Sequence, residues 1–144
     1  MKQVVSDVVA FCRLFGTFER EQVCCGTVTV AQCVVLQTLL EGTWDATSLA
    51  EQTRVTKGAM TRLLDGLQER GFVERVRDPD DGRRWIVGLT KSGHAEAERL
   101  RQMTERSVEL IFSKLSSTQR KQAASSLHAL REAVEEVRDQ LDCC

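Results

Sequence analysis

Apolar residues recur along this chain with two different periods, and the change of period maps its elements. Val4, Val8, Phe11, Phe15 and Phe18 alternate steps of four and three, one stripe on a helix from about Lys2 to the region of Gln22. Gly26 is placed to end it. Thr29 reads as the cap of a second helix, Val30 to Glu41, apolar nearly all round and therefore expected in the interior. Gly42 stops it, and Thr43 to Ala46 form a connection with room for one short strand. Ser48 and Glu51 have capping-box spacing for a third helix, Leu49 to Thr53. After a turn at Arg54 and Val55, Thr56 is expected to cap a fourth helix with Met60, Leu63, Leu64 and Leu67 inward. Gly71 ends that helix, and the period falls to two. Phe72 to Arg77 and Trp85 to Leu89 read as strands around Asp-Pro-Asp-Asp-Gly, a turn composition. Thr90 caps a fifth helix reaching about Lys114, with Ala97, Leu100, Met103, Leu110 and Ile111 apolar. Ser116-Ser117 marks a break before a last helix carrying Leu127, Leu130, Val134, Val137 and Leu141.

The predicted fold class is mainly α with a small β-hairpin wing, a winged helix-turn-helix. In that build the second of two short helices presents its N-terminal residues to base edges in the major groove. Here those positions are Thr56, Lys57, Gly58, Thr61 and Arg62. Thr56 and Lys57 suit phosphate at a helix start, and Arg62 can fork onto guanine or clamp a phosphate. Gly58 costs helix stability, which hints at a close approach from outside. The hairpin tip carries Arg83 and Arg84, planar cations on a narrow ribbon that fits a minor groove. Asp81 stands where it can buttress the ribbon or orient Arg83. Any one of these residues is as readily a solvated surface charge; the ordered set is harder to read that way.

Composition narrows the class. The 144 residues suit one domain and, at 42% hydrophobic, can bury a core. A net charge of −1 with arginines gathered between positions 54 and 84 gives a local basic face on a near-neutral chain. Asp7 and Arg13 interrupt the apolar start, so neither a signal peptide nor a membrane span is expected, and the chain reads as cytoplasmic. No nucleophile paired with histidine, phosphate loop or metal motif with a general base appears, which speaks against an enzyme.

These motifs resemble those of the MarR family of bacterial regulators. The resemblance rests on Thr29-x-x-Gln32-x-x-x-Leu36, Leu49-Ala50, Thr56 through Gly71, Asp78-Pro79-x-Asp81-Gly82-Arg83 and Leu89-Thr90-x-x-Gly93. It implies a homodimer on a pseudo-palindromic double-stranded operator, and a repressor that lets go when an effector binds. It implies dimerisation through the terminal helices, residues 1–28 and 110–144, around a DNA-binding region at 29–109. The family's wing arginine falls on Arg83. The apolar stripes of the terminal helices, too long for a small monomeric core, agree with a partner chain.

Six cysteines are many for a reducing compartment, where disulfides are not expected. Cys24 and Cys25 stand at the end of the first helix, and Cys143 and Cys144 close the sequence. Cys25 and Cys144 keep phase with the two apolar stripes. Such pairs chelate soft ions, As(III) first, then Sb(III), Hg(II) or Cu(I). Cys12 and Cys33 are second candidates that read equally as core residues. His94 and His128 do not cluster with the cysteines. The leading reading is therefore a repressor released by a thiophilic ion, with no cofactor required for DNA binding. Its alternatives are gating by cysteine oxidation, or by a small aromatic ligand in the crevice between the dimer and DNA-binding layers. A winged-helix protein-interaction module is a further class, against which Lys57 and Arg83 argue.

Overall fold

The computed structural model describes residues 1–24 and 28–137, with side chains for 1–17 and 28–137. Its elements run α1 (Lys2–Cys24), α2 (Val30–Leu39), β1 (Trp44–Asp45), α3 (Ala46–Thr53), α4 (Lys57–Glu69), β2 (Val73–Arg77), β3 (Trp85–Leu89), α5 (Lys91–Ser113) and α6 (Ser117–Val137). Two compact units divide them, Met1–Thr104 and Glu105–Cys144. No helix among the described residues is long and apolar enough to cross a membrane.

Local chemistry explains most boundaries. Thr29 Oγ1 accepts the Gln32 amide while Gln32 Oε1 accepts the Thr29 amide, a closed capping box at the head of α2. The same reciprocal pair opens α6: Gln119 N–H donates to Ser116 Oγ, and Ser116 N–H to Gln119 Oε1. Gly71, at φ +72°, ends α4 in a conformation that side chains rarely adopt. α2 stops at Leu39, two residues before the expected end, with Gly42 at φ +144° beyond it.

One cap departs from the sequence reading. α3 begins at Ala46, not Leu49, and its cap is Asp45 rather than Ser48. The Asp45 carboxylate accepts the amides of Thr47 and Ser48 and the Ser48 hydroxyl, at 2.7–3.1 Å. A carboxylate is a stronger acceptor than a hydroxyl at a helix start, so Ser48 becomes a donor in the first turn.

The core of the first unit is formed by Val35, Leu36 and Leu39 from α2, Leu49 and Ala50 from α3, and Met60, Leu64 and Leu67 from α4. Val73, Val87, Ala97 and Leu100 close it. Leu63, expected inward, is only half-buried. The sheet is antiparallel in the order β1-β3-β2, with Arg77 opposite Trp85 and Val73 opposite Leu89. On α1 three residues of the stripe, Val4, Val8 and Phe11, are each about half exposed among the described residues. α6 buries no residue, and Leu127, Leu130 and Val134 are likewise exposed.

Candidate nucleic-acid interface

The first turn of α4 is set by Thr56, whose Oγ1 accepts the Ala59 amide at 3.2 Å. Lys57, Gly58, Thr61 and Arg62 are all exposed there, on the side away from Met60 and Leu64. Thr61 Oγ1 donates to the Lys57 carbonyl, and Arg62 Nε reaches the Gly58 carbonyl at a long 3.4 Å. A Cβ on Gly58 would meet nothing within 4 Å, so packing inside the chain does not require glycine at this place.

The wing is a short ribbon closed by its own acidic residues. Asp78 N–H donates to the Arg84 carbonyl and Arg84 N–H to the Asp81 carbonyl. Asp78 Oδ1 gathers the amides of Asp80 and Asp81, while Asp81 Oδ1 accepts the Arg83 amide at 3.0 Å. Asp81 therefore buttresses the turn through the backbone of Arg83. Arg77 lies over the Trp85 ring at 4.2 Å and donates to the Gly82 carbonyl, which stiffens the ribbon below its tip.

Two ion pairs hold this ribbon to the helices. Arg75 on β2 meets Asp65 on α4 at 2.6 Å, and Arg84 at the wing's return meets Asp45 at 2.8 Å. The two wing arginines thus have different surroundings. Arg84 is tied to the cap of α3, whereas Arg83 is exposed and makes no ion pair among the described residues. Asp45 and Asp65 had no local signature as wing anchors; Asp45 lies 39 residues from Arg84 in sequence.

Hydrogen bonds from the Ser48 side chain, then the Ser48 amide, hold the Asp45 carboxyl below the usual carboxylate range, with Arg84 adding to the effect. A carboxyl lowered on folding stabilises the fold above its unfolded value, and that stability is lost as pH falls through the folded value. Acid should therefore weaken the α3 cap and the wing anchor together, below about pH 4. In a denaturation series from about pH 6 to about pH 2, Asp45→Asn should lose less stability on acidification than the parent. Parallel acid limbs would remove Asp45 from the pH response.

The cysteine candidates divide. Cys12 is exposed on α1; Cys33 is buried in the core, where Gln37 Nε2 donates to its sulfur. Cys24 is the last residue of α1, its side chain outside the described set; Cys25, Cys143, Cys144 and the expected cap Gly26 lie outside the described residues. Among the described residues no three His, Cys, Asp or Glu side chains gather as a metal site. An open cleft of about 510 Å³ lies between α4 and the sheet, lined by residues including Thr61, Gln68, Arg75 and Trp85.

A helix-turn-helix followed by an anchored two-stranded ribbon makes this a winged-helix protein. Residues 28–85 match the model of the MarR family. The HTH-type transcriptional repressor YetL of Bacillus subtilis (strain 168) is 43% identical over 53 residues, 37% of this chain and 32% of that protein. The chain spans about half the length of other curated relatives it matches, 47% and 54% in two of them. Over the whole fold it is similar to the YusO protein of Bacillus subtilis, with 26% identity, a TM-score of 0.71, and coverage of 92% of this chain and 97% of that one. Streptococcus pneumoniae FabT, solved in complex with DNA, has the same fold at a TM-score of 0.85 and 18% identity, covering 94% and 98%.

Proposed function

We propose that this chain is a DNA-binding transcriptional regulator of repressor type. The observation that carries the reading is the shared exposure of Lys57, Gly58, Thr61 and Arg62 at the head of α4, beside a wing anchored at two points with Arg83 at its tip. α4 enters a major groove and the wing reaches the neighbouring minor groove. The relatives support this reading, one described as a repressor and one structure containing DNA.

The protein acts as a homodimer on a pseudo-palindromic operator. Its support is the row of uncovered apolar residues on α1 and α6, which water would not tolerate over that length without a partner surface. On this reading residues 1–28 and 110–144 form the dimerisation region and 29–109 the DNA-binding region.

Release is triggered by a soft ion, As(III) foremost, held by Cys24, Cys25, Cys143 and Cys144. The support is their placement in sequence, two adjacent pairs in phase with the two apolar stripes. Binding must favour the spacing of lobes that does not fit DNA, or it would shift nothing. A second reading, gating by a small aromatic ligand, is favoured by the cleft beside α4, where the Trp85 ring lines the wall with Thr61 and with Arg75, itself paired with Asp65.

One titration tests all of this. The purified chain is bound to its own upstream DNA and challenged with arsenite, mercury, copper(I), zinc, peroxide and salicylate. DNA binding that arsenite reverses, and that Cys24→Ser with Cys25→Ser makes irreversible, is the expected result. Release by salicylate alone would move the trigger to the cleft, and no binding at all would sink the regulator.

A further inference from the structure

The turn between α3 and α4 contains the only non-glycine residue at positive φ among the described residues. It is Arg54, at φ 62°, ψ 36°, in the left-handed region. An L-residue there is strained relative to an ordinary conformation, and glycine is the usual occupant. Asparagine and aspartate are the usual exceptions, because their short side chains bond locally. Arginine has no such excuse.

What the fold needs from this position is backbone only. The Arg54 N–H donates to the carbonyls of Ala50 and Glu51, and the Val55 N–H closes onto Ala50 at 3.0 Å. Glycine would serve that cap at lower cost. The side chain is exposed, and no described hydrogen bond or ion pair uses its guanidinium. It stands two residues before Thr56, the cap of α4, between the helix that in a helix-turn-helix crosses the DNA backbone and the helix whose N-terminal end enters the groove.

We propose that Arg54 is a DNA-contact residue, clamping a backbone phosphate at the edge of the groove that α4 enters. The inference rests on the DNA-binding reading above. A phosphate contact fixes register without reading sequence. The basic set at the interface then has a division of tasks: Arg54 at the turn holds the backbone, and Lys57, Thr61 and Arg62 on α4 meet the groove.

The test compares Arg54→Gly and Arg54→Lys with the parent chain, by fluorescence anisotropy on the upstream duplex and on a random-sequence duplex across a salt series. Arg54→Gly should melt at or above the parent temperature, because it relieves the left-handed strain. It should nevertheless bind both duplexes about tenfold more weakly per bound copy, the size of a lost charge-assisted hydrogen bond. Its salt slope should fall by about one per bound copy. Arg54→Lys should recover most of the affinity and the slope. If the parent binds and Arg54→Gly binds equally with the same slope, the phosphate assignment is overturned and the regulator stands. If the parent binds neither duplex, the DNA-binding reading falls and this assignment with it.

Discussion

Gly93→Ala should unfold the winged-helix part of this chain more readily than alanine at any other described glycine. A Cβ built on Gly93 sits 1.7 Å from the Phe72 carbonyl oxygen and 2.7 Å from its carbon. Those are backbone atoms and cannot swing aside. The same carbonyl accepts the Thr90 amide, and the hydroxyls of Thr90 and Ser92 both donate to Gly71 at 2.6–2.8 Å. The head of α5 is thus fastened to the start of β2, and Gly93 N–H donates to Thr90 Oγ1 within that fastening. To admit a methyl, α5 must withdraw, break this set, and lift Ala97 and Leu100 from the core. Helix propensity would favour alanine by up to about 1 kcal/mol. Overlap with a hydrogen-bonded backbone outweighs that, at about 3 kcal/mol or more. The melting midpoint should fall by roughly 10 °C or more. Gly58→Ala is the control, since its methyl meets open space and should cost the fold nothing. Equal midpoints for Gly93→Ala and the parent would show that α5 has slack at its head.

Gly93 also marks where sequence reasoning reaches its limit. Leu89-Thr90-x-x-Gly93 was visible as a pattern, and Thr90 as a cap, because a cap is decided by residues three apart. That Gly93 must lack a side chain is decided by Phe72, across a strand pair that pattern alone cannot position. The contrast repeats elsewhere. Thr29 and Thr56 as caps, and the strands on either side of Asp78 to Gly82, were legible from local chemistry and period. The α3 cap was misplaced because Ser48 and Glu51 matched one rule while Asp45 satisfied a stronger one. The stripes of α1 and α6 were read as needing a partner chain, and Val4, Val8, Phe11, Leu127, Leu130 and Val134 are exposed among the described residues. The basic residues of α4 and the wing were legible as a set. Which of them already had partners was not, because Asp45 and Asp65 come from other elements.

That distinction sets the largest expected effect on binding. Arg83 and Arg84 are neighbours in sequence with the same side chain, yet their removal should read differently. Arg84 spends its guanidinium on Asp45, an exposed pair worth at most about 1 kcal/mol to the fold. Arg84→Ala should loosen the wing and weaken DNA binding modestly, and Asp45→Ala should do the same while also costing the α3 cap about 1 kcal/mol. Arg83 has its amide fixed by Asp81, so the ribbon is held while the guanidinium projects from the exposed tip. With the backbone already held, only the Arg83 side chain has to be ordered on entering a narrow groove. Arg83→Ala should therefore leave thermal stability unchanged and weaken operator binding by about 1–3 kcal/mol, with a shallower salt dependence. The check is anisotropy on the upstream duplex across a salt series, paired with melting curves for the three variants. A stable Arg83→Ala protein that binds as the parent does would take the wing tip out of recognition. If Arg84→Ala instead shows the larger loss with unchanged stability, the roles are reversed: the pair with Asp45 opens on DNA, and Arg84 is the reading residue.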